Sequence, residues 1–181
     1  MSEIVSPWVA RWAPAIPAGE VLDLACGRGR HAHACAALGH PVLAVDRDPD
    51  ALRAAAGPGI TTDCIDLEGE GAAWPYAAER FAAVIVANYL HRPLFAGLAA
   101  ALQPGGLLIY ETFALGNAAY GKPSNPAFLL APGELLDMAR SHGLHVLAYE
   151  DGVIQAGRMA RVQRICAVAP GCDLSATPLD L

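Results

Sequence analysis

The stretch VLDLACGRGRHA, residues 21–32, decides the fold. A short apolar run of strand length carries an acid, Asp23, then breaks at a glycine turn, Gly27 and Gly29, and opens into a segment of helical composition. A strand that passes through a glycine turn into a helix is the first βα unit of a doubly wound sheet. The spacing of Gly27, Gly29 and Ala32 also meets the GxGxxA form of the dinucleotide fingerprint. Glycine at such a turn lets a ligand come close to the backbone.

Outward from this unit, strand-length apolar runs alternate with alanine- and leucine-rich segments of helical length. That alternation produces parallel strands joined by right-handed helical crossovers. Strands are predicted over 20–25, 42–46, 60–65, 81–87 and 107–113, with helices over 30–38, 48–56, 93–102 and 132–142. The run 81–87 is almost wholly apolar, which suits a central strand covered on both faces. A PGG turn at 104–106 is expected to reverse the chain before the fifth strand. Two last strands, 144–149 and 162–169, are expected to form an antiparallel hairpin about a turn containing Asp151 and Gly152. The predicted architecture is α/β, doubly wound and Rossmann-like: a seven-stranded, mostly parallel sheet with a C-terminal antiparallel hairpin and helices on both faces. Residues 1–181 read as one domain, with 1–19 as an N-terminal cover and 170–181 as a tail without periodicity. The long irregular stretch 114–131 reads as a substrate loop or lid, since loops of that length in a compact domain are often functional.

Composition narrows the partners. Apolar residues make up 54% of the 181 and charged ones 17%, which excludes disorder and predicts a packed core. No uncharged run approaches the ~20 residues of a membrane-spanning helix, and the N-terminus lacks a secretory pattern, so a cytoplasmic protein without membrane contact is expected, as monomer or homodimer. A net charge of −6 gives no basic footprint for a nucleic-acid backbone. The five cysteines are odd in number and form no CxxC pair, which reads as reduced thiols. His31 and His33 do not share a helix face, so no metal site is expected there. Trp8 and Trp12, four apart, mark one helical face turned to the core.

Asp46, ending the second strand 19 positions beyond Gly27, can accept hydrogen bonds from both hydroxyls of a ribose. That requirement is shared by nicotinamide dinucleotides and S-adenosylmethionine. Asp23 separates them: a carboxylate near the glycine turn attracts the ammonium and sulfonium of S-adenosylmethionine but repels a pyrophosphate. The competing reading makes Asp23 a plain helix cap.

With the glycine motif, an acid ending strand two and an acid–apolar pair after strand three, the chain resembles the class I methyltransferases. The segments NYLHRPLF (88–95), YETFALGN (110–117) and YGKPSNPAFLLAPGELL (120–136) more closely resemble bacterial tellurite-resistance-type and thiopurine-type small-molecule methyltransferases. The resemblance implies S-adenosylmethionine as cofactor, S-adenosylhomocysteine as product, and a small-molecule acceptor, with soft sulfur, selenium or tellurium nucleophiles among the candidates. It implies that Asp23, Ala25, Gly27 and Gly29 surround the methionine part of the donor, that Asp46 holds the ribose, and that Asp66 and Leu67 meet the adenine. Asp63 is the rival acid. Ala25 stands where many such families carry a glycine. Asn88 would face the donor's ammonium or the acceptor, and Tyr89, His91 and Glu111 are the candidates to orient or deprotonate an acceptor. The rival functions are a Rossmann-type NAD(P)-dependent oxidoreductase, which the absence of a Tyr-x-x-x-Lys pattern weakens, and an S-adenosylmethionine-binding protein without catalysis. A nucleic-acid methyltransferase would want a full NPPY-like motif after strand four, which is missing.

Overall fold

The computed structural model describes residues 4–155 and 159–171. Helix α1, Pro7–Trp12, opens it, with Ser6 at its N-cap accepting from the Trp8 N–H. Then follow β1 (Val21–Leu24), α2 (Arg30–Ala37), β2 (Val42–Asp46), α3 (Pro49–Ala55), β3 (Ile60–Cys64), β4 (Phe81–Ala87), α4 (Phe95–Ala100), β5 (Leu102–Phe113), α5 (Glu134–Ser141), β6 (His145–Ile154) and β7 (Ala160–Val168). The sheet order is β3-β2-β1-β4-β5-β7-β6. Strands β1 to β5 pair in parallel, and β7 runs antiparallel to both β5 and β6. The expected architecture is the observed one.

Strand periodicity divides the core into two layers. In β4, Val84 and Val86 join the layer that includes Leu98 of α4 and Leu135 and Met138 of α5. The alternate residues Ala83 and Ile85 join the layer containing Trp8 and Trp12, with Ala32, Cys35 and Leu52 of α2 and α3. Every residue of β4 except Ala87 is therefore buried, as a strand covered on both faces requires. The two tryptophans are core residues, as expected.

Three local expectations change. Residues 103–106 do not reverse the chain. Phe81 pairs with Leu102 and Ala83 with Leu107, so the PGG segment bulges from a strand that continues. Gly106 lies so close to β4 that a Cβ there would sit 2.9 Å from the Phe81 carbonyl oxygen. Helix α4 stops at Ala100, because the carbonyls of Ala100 and Ala101 accept from Glu79, Arg80 and Phe81 instead of from another helical turn. The expected hairpin turn is strand: Asp151 and Gly152 face Gln163 and Val162 in the ladder, and Asp151 forms an ion pair with Arg161. Of the predicted cover and tail segments, residues 1–3 and 172–181 lie outside the described residues. No helix among the described residues is long and apolar enough to cross a membrane.

Candidate functional site

Strands β1, β2 and β4 end side by side, and beyond β1 the strand order changes direction. Open α/β sheets bind ligands in the crevice at this point. Two hollows lie there, of about 200 and 310 Å³, and Ala25 lines both.

The smaller hollow runs along the ends of β2 and β3, with Asp46, Arg47, Ile65, Asp66, Leu67, Glu68 and Tyr89 in its wall. Asp46 is fixed from two sides: its Oδ2 accepts from the Gly27 N–H at 2.8 Å and its Oδ1 from the Asp48 N–H at 3.0 Å. The strand-two acid therefore holds the glycine turn in place as well as facing the crevice. Asp66 is exposed and accepts from the Glu68 N–H at 2.9 Å, an Asx turn that leaves the carboxylate at the edge of the hollow. Asp63, its rival, is taken up by the Tyr76 hydroxyl, which donates to it at 2.9 Å, and is absent from the hollow's wall.

The larger hollow is polar and lies over the glycine turn, between Asp23, Cys26, Gly27, Arg30, His31 and Asn88. Asp23 is 1% exposed. Its Oδ2 accepts from the Ala32 N–H at 2.9 Å, so it is a cap for α2, while its Oδ1 faces His31 Nδ1 at 4.0 Å, beyond hydrogen-bond distance. The cap and the site-lining acid are the same residue. Burial pushes its carboxyl up to about 7, against the lowering effect of the Ala32 N–H and the Arg30 charge. Burial and the neighbouring Arg30 hold His31 neutral by lowering it to about 3. The Cys26 thiol, pushed up by burial and by Asp23 and Asp46, keeps its proton.

Backbone strain concentrates on this crevice. Ala25 at φ 53° and Asn88 at φ 59° sit in the left-handed region at the ends of β1 and β4, and both line the larger hollow. Asparagine tolerates that conformation, whereas alanine pays a steric penalty of about 1–2 kcal/mol. Gly27, at φ 54°, lines the same hollow with open space beside it. Gly29 differs from the expectation. It borders neither hollow, and a Cβ there would lie 2.8 Å from the Ala55 Cα, so its lack of a side chain serves the packing of α2 against α3.

The three candidates for acceptor chemistry separate. Tyr89 lines the smaller hollow, on the Asp66 side, and burial together with Glu68 and Asp66 raises its phenol, which therefore stays protonated. His91 stands at the N-cap of a 3-10 turn, Arg92–Leu94, and borders neither hollow. Glu111 is buried away from both. Its Oε1 accepts from the Ser6 hydroxyl at 2.8 Å and its Oε2 from Arg164 Nη1 at 3.3 Å, so its carboxylate is engaged in holding elements together. The stretch 114–131 contains 3-10 turns at Asn117–Ala119 and Pro126–Phe128 and borders neither hollow. Arg92 pins its base by donating to the carbonyls of Ala127 and Leu129 and by pairing with Glu134. No metal-binding cluster occurs among the described residues, and His33 bonds the Ala54 carbonyl instead.

Sequence reasoning missed Arg30 and His31, which line the larger hollow, and Arg47 and Glu68, which line the smaller. Arg30 and His31 follow Gly29 directly, at the start of the helix that the glycine turn opens, and that adjacency was a usable signal. Arg47, next to Asp46, carried the same signal. Nothing in the sequence marked Ser6 as the partner of Glu111, 105 positions away.

Comparison with known proteins agrees with this geometry. Residues 21–106, which contain both walls of the crevice, match the family described as Methyltransferase domain. No curated protein matches the chain. Among solved structures, TehB from Haemophilus influenzae superimposes with a TM-score of 0.74 at 18% identity, covering 91% of this chain and 62% of TehB; the chain thus spans less than two thirds of TehB's length. An S-adenosylmethionine-dependent methyltransferase from Mesorhizobium loti gives 0.70 at 18% identity, over 90% of this chain and 96% of the other. The 1,6-didemethyltoxoflavin-N1-methyltransferase of Burkholderia thailandensis, with bound S-adenosylhomocysteine, gives 0.65 at 19% identity, over 91% and 77%. Residues 21–106 thus match a methyltransferase-domain family, and the seven-stranded sheet built around them shares its fold with these S-adenosylmethionine-dependent methyltransferase structures.

Proposed function

We propose that this protein transfers a methyl group from S-adenosylmethionine to a small-molecule acceptor, with a soft sulfur, selenium or tellurium nucleophile as the favoured class. The observation that carries the reading is the charge pattern of the crevice. Four carboxylates, Asp23, Asp46, Asp66 and Glu68, border two hollows that share Ala25 at the carboxyl ends of the strands. The donor set fits the cofactor. Asp23 is a buried carboxylate with one oxygen beyond hydrogen-bond reach of its neighbour, which a ligand ammonium would compensate. A pyrophosphate has no cationic group to set against Asp23, whereas the amino acid end of S-adenosylmethionine offers an ammonium to Asp23 and a carboxylate to Arg30.

When bound, S-adenosylmethionine supplies an activated methyl group. Toward it, Asp23 would face the ammonium, and Arg30, the guanidinium in the wall of the same hollow, the carboxylate. Gly27 and Ala25 would let the ligand close on the backbone, Asp46 would accept from the ribose hydroxyls, and Asp66 with the Leu67 backbone would meet the adenine. Asn88 would border the reacting end, with Tyr89 as an orienting group.

The titratable groups bearing on the hollows favour a soft acceptor. Tyr89 and Cys26 hold their protons, His31 already accepts hydrogen bonds, and Glu111 is engaged elsewhere. A thiol or selenol ionises near neutral pH and needs little base catalysis, whereas an alcohol would need more. The protein's contribution is then alignment and exclusion of water, and effective molarity supplies ~7–11 kcal/mol of such a barrier. A small acceptor is also the substrate of one fold neighbour, the enzyme named for 1,6-didemethyltoxoflavin.

Calorimetric titration with S-adenosylmethionine, S-adenosylhomocysteine and NAD tests the reading. Micromolar binding of both adenosyl ligands is expected. Asp46→Ala should weaken it about 10- to 100-fold, the worth of charge-assisted bonds at roughly 1.5–3 kcal/mol. Binding of NAD alone would overturn the function. A panel of thiols, selenols, phenols and amines then ranks the acceptors, with His91→Ala expected to leave turnover unchanged.

A further inference from the structure

The N-terminal segment reaches the larger hollow through buried polar contacts that methyl transfer leaves unexplained. Ser6 is buried and makes three of them. Its N–H donates to His31 Nε2 at 3.3 Å, its hydroxyl donates to Glu111 Oε1 at 2.8 Å, and the same oxygen accepts from the Trp8 N–H at 3.1 Å. Capping α1 requires only the last. The other two tie the helix start to α2 and to β5.

The far end of the short helix is tied as well. Arg11 pairs with Glu150 at 3.7 Å, and Arg164 bridges Glu111 and Glu150. The guanidiniums of Arg11 and Arg164 lie 5.8 and 4.9 Å from the centroid of the Trp8 ring, whose N–H donates to the Ile165 carbonyl. A six-residue helix has little stability of its own. These contacts hold it on the sheet beside the crevice.

His31 is where this network meets the ligand site. Its Nε2 accepts from both the Ser6 N–H and Arg30 Nε, at 3.3 and 3.1 Å, which leaves the ring proton on Nδ1, toward Asp23. Arg30 and His31 both line the larger hollow. The Ser6 N–H, 25 positions away in the sequence, thus bonds the His31 ring, and the His31 ring in turn bonds Arg30.

We propose that Ser6, His31 and Glu111 form a latch that docks residues 4–12 beside the larger hollow and positions Arg30 and His31 for the methionine part of the cofactor. The inference rests on the S-adenosylmethionine reading above. Linkage makes the coupling reciprocal: whatever the docked segment adds to ligand affinity, the ligand adds to docking. Ser6, His31 and Glu111 act as positioning residues, and both Glu111 oxygens are taken up by Ser6 and Arg164.

The experiment uses the full chain, with S-adenosylhomocysteine as the probe. Affinity is measured by calorimetry, and docking by the rate at which trypsin releases the peptide ending at Arg11. In the wild type the ligand should slow that cleavage about 5-fold or more. Ser6→Ala should speed cleavage and weaken binding by about 5- to 10-fold, and Ser6→Thr, which keeps the hydroxyl, should restore both. Glu111→Gln keeps an acceptor for Ser6 while losing the charge, and should fall between Ser6→Ala and the wild type. If the wild type binds and Ser6→Ala binds equally well, or the ligand leaves the Arg11 cleavage rate unchanged, the latch is overturned while the cofactor reading stands. If the wild type does not bind S-adenosylhomocysteine, both fall.

Discussion

The two halves of the crevice rim are built in different ways. On β1, β2 and just past β3 the acids bond to nearby backbone N–H groups of the glycine turn, the first turn of α2 and adjoining loops: Asp23 to Ala32, Asp46 to Gly27 and Asp48, Asp66 to Glu68. At the ends of β4, β5 and β7 the polar side chains bond to distant elements: Ser6 to Glu111, Arg164 to Glu111, Arg92 to Glu134, Gln163 to the Ala131 carbonyl. The first half presents backbone and carboxylates to the crevice from short local turns. The second spends its polar groups on holding the N-terminal helix and the stretch 114–131. A ligand-binding role in the first half is therefore local chemistry, while function in the second depends on assembled structure.

The largest effect that would sharpen this contrast comes from Gly29→Ala. The new Cβ would lie 2.6 Å from the Ala55 Cβ and 2.8 Å from its Cα, at a backbone φ of 77°. Left-handed strain and overpacking together should cost about 3 kcal/mol, seen as a fall of roughly 6–12 °C in Tm. Affinity for S-adenosylhomocysteine in the folded fraction should stay within about twofold, since Gly29 borders neither hollow. A stable variant that has lost affinity would move Gly29 into the ligand half and break the distinction between packing and binding glycines.

Asp23 provides the next effect, through pH. Its carboxyl is raised from 3.8 to about 7 in the folded protein. Between these values the folded state holds a proton that the unfolded state has released, so this group's contribution to stability falls as pH rises from about 4 to about 7 and is flat above. Asp23→Asn keeps an acceptor for the Ala32 N–H and removes the ionisation. At pH 8 it should melt higher than the wild type, and the gap should close toward pH 4. Binding should respond in the opposite sense. A cationic ligand favours the carboxylate, so wild-type affinity should rise with pH up to about 7, and Asp23→Asn should bind more weakly with no such rise. A variant that is more stable and binds equally well would leave Asp23 as a cap alone.

The same contrast explains what could be read from the sequence. Strands β2 and β4 lie at the predicted residues, because each is an apolar run bounded by clear breaks, and the strand order follows from βα alternation. Asp46 was legible because a fixed spacing from Gly27 puts a strand-end acid beside a glycine turn. Asp63 and Asp66 were not separable, since the choice depends on whether the Tyr76 hydroxyl, 13 positions on, takes one of them. Glu111 was misread for a stronger version of that reason. An acid at the end of β5 looks available until Ser6 and Arg164, 105 and 53 residues away, occupy its two oxygens. The Asp151–Gly152 turn failed because turn-forming residues also occur within a strand, where the cross-strand Arg161 stabilises Asp151.

The smallest effect tests whether the strain on the rim serves the ligand. Ala25 and Asn88 are the two non-glycine residues in the left-handed region that border the larger hollow. They differ in tolerance, since an asparagine side chain accommodates that conformation and an alanine Cβ does not. Ala25→Gly should relieve about 1–2 kcal/mol of steric cost and lose about 0.4–1 kcal/mol to the greater freedom of glycine in the unfolded chain. The net gain of roughly half a kcal/mol should appear as a rise of about 1–2 °C in Tm, whereas Asn88→Gly should show none. Because Ala25 lines both hollows, the variant also removes one methyl group from the wall they share. If Tm rises while affinity for S-adenosylhomocysteine is unchanged, the alanine is only a tolerated replacement for glycine. If affinity falls as stability rises, the strained methyl contacts the ligand, and the local half of the rim carries its function in a side chain as well as in its backbone.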